Sequence, residues 1–126
     1  MKGSLLLKLT AIAETPIALA LLLMPSGTTR ALLGTDLSAP FEVTIARVAG
    51  SAILFLGIVC WMNRDFPFLQ IRPLVIALLI YNVLVSFLLI QSGINTKLTP
   101  FLVVAVLAHV LLGVFCLVNL ATKDDG

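Results

Sequence analysis

The sequence has 126 residues, of which 60% are hydrophobic and 11% charged, with a net charge of +2. Its mean hydropathy is +1.17, whereas soluble domains carry about 25% charged residues. This composition excludes a soluble enzyme and indicates an integral membrane protein in direct contact with the lipid bilayer. Because the basic residues form no run, no nucleic-acid partner is predicted.

Four apolar segments fill the chain, at about residues 5–24, 41–62, 73–90 and 99–120. About 20 residues of α-helix cross the ~30 Å hydrocarbon core of a bilayer. Helices are expected because a backbone that faces lipid must satisfy its own hydrogen bonds. With short connections between the segments, residues 1–126 are predicted to form one domain, an all-α, integral membrane, antiparallel four-helix bundle.

The first segment carries Glu14 at its middle. A secretory signal peptide is the competing interpretation, because Lys2 and Lys8 accompany a long apolar stretch, but an acidic residue inside that stretch argues against it. Pro16 cannot donate to the carbonyl of Ile12, so a kink or a freed acceptor is expected near the carboxyl group.

Glu14 shares its helix face with Thr10 and Ala18, a pattern that favours contact with another helix over contact with lipid. Two roles remain open for Glu14. It is either a carboxyl group that carries a proton or binds a ligand, or a structural partner of Arg47.

Arg47 lies in the second segment, where Gly50 and Ser51 on the same face predict that its guanidinium points into the bundle. Snorkelling to the headgroups is the alternative, and Glu42 is a second candidate partner. Between the first two segments, residues 28–33 and Gly34 predict a short amphipathic turn that only connects them.

Tyr81 and Asn82 lie at the middle of the third segment. This segment is predicted to begin at Arg72 and Pro73 and to end near Ser92 and Gly93. Asn82 shares a face with Ser86, whereas Tyr81 is rotated from it by about 100°. Asn82 is therefore expected to face the bundle interior.

The fourth segment begins with Thr99 as N-cap and Pro100 at the first helical position. It contains His109, the only histidine, between Ala105 and Gly113. A single histidine does not supply a bis-histidine haem within one chain, and no metal site is predicted. Hydrogen bonding of the imidazole to Glu14, Tyr81 or Asn82 is expected, as structural support or as a proton relay.

The two cysteines, Cys60 and Cys116, are far apart in the sequence and form no redox motif. They are interpreted as small buried hydrophobic residues. No nucleophile elbow, phosphate-binding loop or pair of catalytic carboxylates is found, so the sequence favours a protein that is not an enzyme.

Basic residues are distributed unequally between the two ends of the predicted bundle. One end collects five of them, namely Lys2, Lys8, Arg64, Arg72 and Lys123, and the other has Arg30 and Lys97. The positive-inside rule therefore places both termini in the cytoplasm.

The run from Ala46 to Gly50, the Tyr81–Asn82 pair and His109 in the last apolar helix together resemble small bacterial four-helix membrane proteins of the DoxX-like type. The similarity extends over the whole chain by layout. It implies a bacterial inner-membrane location and a connection to quinones or to a redox partner.

Two function classes follow from the sequence. The first is an intramembrane pocket that binds a quinone, a lipid or another hydrophobic molecule, or that handles a proton. Its candidate residues share a polar side chain at membrane depth, and they are Glu14, Arg47, Tyr81, Asn82 and His109. The second is a non-catalytic accessory subunit of a larger membrane complex, or a homo-oligomer, in which small-residue stripes contact partner helices.

Overall fold

The computed structural model describes residues 2–122 and shows five helices and no strand in that part of the chain. They are α1 (Lys2–Leu23), α2 (Pro25–Leu33), α3 (Pro40–Asn63), α4 (Phe68–Asn95) and α5 (Pro100–Ala121). All except α2 are long and apolar enough to cross a membrane. The predicted all-α membrane fold is thereby confirmed. Lys123 and the side chain of Lys2, both used in the charge count, lie outside the described part of the structure.

Helix α1 occupies the centre of the arrangement. It packs along α3 on one side and meets α4 and α5 on the other, and α4 and α5 pack along each other. Residues that face lipid in such an arrangement are apolar, as Phe55 on α3 and Phe87 on α4 illustrate. Helix α1 therefore carries its side chains into both halves of the molecule.

Two glycines of α3 allow its close approach to α1. A Cβ atom at Gly50 would lie 2.9 Å from the carbonyl oxygen of Ala18 and 2.9 Å from the Cβ of Leu21. A Cβ atom at Gly57 would lie 2.8 Å from the Oγ1 of Thr15. Small residues at the contact let the two backbones come together, which is how helices associate where lipid supplies no hydrophobic driving force.

Helix α4 is longer at both ends than the sequence predicts. It begins at Phe68, so Pro73 lies inside the helix, and it runs on through Gly93 to Asn95. Pro73 lies beyond the first turn and removes the hydrogen bond to the carbonyl of Leu69, a loss that transmembrane helices tolerate. Gly93 does not end the helix but admits Leu102 of α5, whose Cδ2 would lie 3.0 Å from a Cβ there.

Helix α2 is more than the connecting turn that the sequence predicts. It contacts α1, α3 and α5. The hydroxyl of Thr99, the N-cap of α5, donates a 2.7 Å hydrogen bond to the carbonyl of Leu32 and accepts one from the N–H of Leu102. Gly34 ends α2 with φ of 69°, a left-handed conformation that glycine adopts without strain. The short helix is thus fixed against the start of α5.

The apolar core lies toward the end of the bundle where α1 begins. Cys60 and Cys116 are fully buried in it, and neither forms a disulfide. This confirms their interpretation as small buried residues. The core also contains Leu6, Leu7, Ala11, Ile71, Val75, Leu78 and Leu112. The opposite half is held by α2, and the polar side chains lie between the two regions.

Candidate functional site

Glu14 is buried at the middle of α1 and faces α4 and α5. Its side chain is 4% exposed. The hydroxyl of Tyr81 on α4 donates a 3.2 Å hydrogen bond to its Oε2. Thr10 and Ala18, one turn to either side, are fully buried, which confirms that this face of α1 packs inside the protein.

His109 of α5 is held by Asn82 of α4. The Oδ1 of Asn82 lies 2.9 Å from the ring Nδ1, and its Nδ2 donates to the carbonyl of Leu78. Because a carbonyl oxygen only accepts, Nδ1 carries the hydrogen of this bond. The second ring nitrogen, Nε2, has no hydrogen-bond partner among residues 2–122.

Tyr81 and Asn82 both contribute to the site. Asn82 is 1% exposed and faces inward with Ser86, as predicted. Tyr81 is only part-buried, but the length of its side chain carries its hydroxyl to Glu14. Its ring also meets the His109 ring edge to face, with 5.7 Å between the centroids. Tyr81 thus contacts the carboxyl group of Glu14, and the adjacent Asn82 contacts the imidazole of His109.

The carboxyl group and the imidazole are neighbours. Glu14 Oε1 lies 3.8 Å from Nδ1 of His109, too far for a hydrogen bond but close enough for an ionic contact if the ring is charged. The four side chains Glu14, Tyr81, Asn82 and His109 form what we term the polar cluster.

Arg47 does not join the polar cluster, and the expectation of an inward guanidinium was wrong. Its side chain is exposed, whereas Ala46 and Gly50 are the α3 residues buried near it. Arg47 follows Ala46 by one position, so it is rotated by about 100° from the face that packs on α1. Among the described residues, the partners of Glu14 are Tyr81 and His109.

Glu42, the alternative partner of Arg47, has a different role. Its Oε2 accepts hydrogen bonds from the backbone N–H groups of Ser38 and Ala39, at 2.6 and 2.9 Å. It therefore caps the start of its own helix, a common use of a carboxylate at this position.

A cleft of about 410 Å³ lies beside the polar cluster, between α1, α2 and α5. Glu14 and His109 line it, whereas Tyr81 and Asn82 stand behind them. The remaining lining residues are apolar except for Thr28, and they are Ala13, Ile17, Ala31, Leu32, Phe101, Val104, Ala105, Ala108 and Leu112. The cleft thus combines apolar walls with one acid and one imidazole.

The two small residues that flank His109 serve different purposes. Ala105 lines the cleft, so space lies beside the imidazole on that side. A Cβ at Gly113 would be 3.6 Å from the Cβ of Asn82, which places this glycine in the contact between α5 and α4. Of the two small residues that flank His109, only Ala105 therefore borders the cleft.

The α2 contribution to the cleft was missed by sequence reasoning. Thr28, Ala31 and Leu32 form one wall, and the hydroxyl of Thr28 donates to the carbonyl of Met24. A signal was present in the sequence, since Pro25 is a good first residue of a helix and Gly34 a good stop. Which helix α2 packs against cannot be read from that signal.

Two buried hydroxyls flank the polar cluster. Thr10 lies one turn from Glu14 and Ser86 one turn from Asn82, and neither hydroxyl has a hydrogen-bond partner among the described residues. Thr10 extends the row of buried polar side chains on α1, and Ser86 extends the row on α4. Buried hydroxyls without partners are rare in folded proteins.

No protein-family model, curated protein or solved structure matches this chain. The resemblance to DoxX-like proteins therefore stays a prediction. The polar cluster and the cleft are the features of the described structure that point to a function.

Proposed function

We propose that this membrane protein binds a hydrophobic small molecule, such as a quinone or a lipid, in the cleft beside Glu14 and His109. The observation that carries the proposal is the combination of apolar walls with two polar groups at membrane depth. Ligand sites usually have this composition, with a few polar groups that fix the orientation of an apolar ligand.

The position of the cleft favours a ligand that arrives from the bilayer. Phe101 and Val104, which line it, are 65% and 64% exposed at the outer surface of the helices. Within a membrane span that surface faces lipid tails. A lipid-soluble molecule could therefore enter sideways between α1 and α5 without crossing water.

The energetic cost of the buried polar groups also favours a functional site. A buried carboxyl group inside a membrane is costly, and Arg47 does not offset this cost, since it is exposed. Hydrogen bonds between membrane helices contribute only about 0.6 kcal/mol on average. Retaining an acid and an imidazole side by side is a poor way to stabilise a bundle, but it suits ligand binding or the transfer of a proton.

His109→Leu should fold but lose the bound molecule. Leucine is well tolerated in hydrocarbon, whereas the loss of one hydrogen bond to the ligand weakens binding about tenfold. The measurement is mass spectrometry of small molecules that co-purify in mild detergent. Ser51→Ala is the matched control, because it removes a polar group from the exposed face of α3.

Retention of the same molecule by His109→Leu and by Ser51→Ala would contradict the binding proposal. In that case the accessory-subunit function is favoured, and protein partners, or further copies of this chain, should co-purify instead.

We also propose that the protein lies in a bacterial inner membrane with both termini in the cytoplasm. The basic residues support this orientation, because the end of the bundle with α2 has only Arg30 and Lys97 in its connections. The DoxX-like layout supports the location.

Cysteine substitutions at Thr35 and Asn95 test the orientation in a background without Cys60 and Cys116. Both positions are exposed at the end of the bundle where α2 lies. An impermeant thiol reagent should label both in intact cells. Labelling that appears only after lysis would reverse the orientation.

A further inference from the structure

The side-chain hydrogen-bond donors around the cleft are already in use. Thr28 donates to the carbonyl of Met24, and Tyr81 donates to Glu14. Asn82 donates to the carbonyl of Leu78 and lies behind His109, away from the lining of the cleft. A ligand in the cleft therefore meets none of these donor hydrogens.

The imidazole of His109 is left as an acceptor. Its Nδ1 hydrogen is directed to Asn82 Oδ1, and the Asn82 amide is itself oriented by Leu78. In the neutral ring the other nitrogen, Nε2, then carries a lone pair and no hydrogen. The bonds behind His109 thus select one tautomer, and that tautomer sets which ligand groups the ring can bind.

Glu14 presents its Oε1, which accepts no hydrogen bond from residues 2–122. If the carboxyl group is ionised, both free atoms of the site are acceptors. If it is protonated on Oε1, the site offers one donor and one acceptor. In both states a ligand oxygen without a hydrogen leaves Nε2 unpaired, whereas a hydroxyl group donates to Nε2. When Oε1 is protonated, the hydroxyl oxygen also accepts a hydrogen bond from it.

We propose that the cleft selects lipid-soluble molecules that carry a hydroxyl group over otherwise similar molecules whose oxygen has no hydrogen. The hydroxyl group donates to Nε2 of His109 and contacts Glu14, and the hydrocarbon part fills the space along Ala105 and Ala108. This inference rests on the proposed function, and it narrows the ligand to molecules with a hydroxyl hydrogen, a class that does not include the oxidised form of a quinone.

A pair of matched probes tests the selection. The phenol para-pentylphenol and its methyl ether have the same ring and chain. They differ in that a methyl group replaces the hydroxyl hydrogen in the ether. With the full chain in lipid nanodiscs, the phenol should bind about tenfold more tightly, a difference of about 1.4 kcal/mol. Equal binding, or tighter binding of the ether, would overturn the inference while leaving the proposed function in place. If neither probe binds, the selection for a hydroxyl group is contradicted, whereas the proposed function is decided by the molecules that co-purify.

Nitrogen NMR gives a second readout in the unmodified protein. Because His109 is the only histidine, ¹⁵N-labelled histidine gives the signals of one ring. We expect a protonated Nδ1 and an unprotonated Nε2, with an Nε2 signal that moves when the phenol is added and stays in place with the ether. A ring protonated on Nε2 instead of Nδ1 would overturn the inference without any substitution.

Two variants identify the side chain that is responsible for the preference for the phenol. His109→Leu should reduce the preference for the phenol to less than about twofold, since the acceptor is gone. Thr44→Val, on the exposed face of α3 and outside the cleft, should leave the preference unchanged, because its hydroxyl donates to the carbonyl of Pro40. Loss of the preference in Thr44→Val, or its retention in His109→Leu, would refute the role of the imidazole.

Discussion

Gly50→Ala is expected to destabilise the protein by about 1–3 kcal/mol, the usual cost of adding a methyl group to a tightly packed contact. The new Cβ would lie 2.9 Å from the carbonyl oxygen of Ala18, a backbone atom that moves only with the whole of α1. Reversible unfolding in mixed micelles measures the loss. The fluorescence of Trp61 on α3, the only tryptophan, serves as the reporter.

The matched control is Gly27→Ala in α2. A Cβ at Gly27 would meet nothing within 4 Å. Both substitutions gain about 0.8–1 kcal/mol of helix propensity, so any difference between them reports on packing. Equal stability of the two variants would show that α3 does not pack on α1 as the structure has it.

The second large effect is expected for the contact between Glu14 and Tyr81. Tyr81→Phe removes the hydroxyl that donates to Glu14 and leaves a buried carboxyl oxygen without its donor. Glu14→Leu leaves the tyrosine hydroxyl without its acceptor. The double variant should therefore lose less stability than the sum of the two, with a coupling energy of about 1 kcal/mol.

A second cycle with Glu14→Leu and Arg47→Met serves as the control. Since Arg47 is exposed and makes no ion pair within residues 2–122, the two losses should add to within about 0.5 kcal/mol. Additivity in the first cycle, together with coupling in the second, would restore the arginine as the partner of Glu14.

The features predicted from the sequence are those that depend on local periodicity. Thr99 and Pro100 start α5 as expected, and Asn82 and Ser86 share a buried face. These results need only the composition of each segment and the pitch of a helix. The number of membrane spans follows from length and hydropathy in the same way.

The incorrect predictions concern the direction in which a side chain points around its helix and the residue at which a helix begins. Arg47 and Gly50 are separated by only about 60° around α3, so a small error in the assumed centre of the packed face moves an arginine from inside to outside. Whether Pro73 begins a helix or lies within its second turn is equally difficult to decide from sequence, because proline is favoured in the first turn and is also tolerated inside transmembrane helices.

The walls of the cleft could not be predicted from sequence. They come from α1 and α2, which are consecutive, and from α5, which is the last helix in the chain. The contact between α2 and α5 includes a hydrogen bond from Thr99 to Leu32, and a hydroxyl can act as N-cap without making that second contact. The sequence predicted a pocket beside the polar groups at membrane depth but not the helices that form its walls.

The most direct test of the binding site is to fill the cleft without changing the polar cluster. Ala108→Trp places a large side chain in the cleft, and Ala52→Trp makes the same change on the exposed face of α3. The measurement is the amount of small hydrophobic molecule that co-purifies with each folded variant. The binding proposal predicts that the molecule is lost from Ala108→Trp and retained by Ala52→Trp. Equal amounts in the two variants would contradict it.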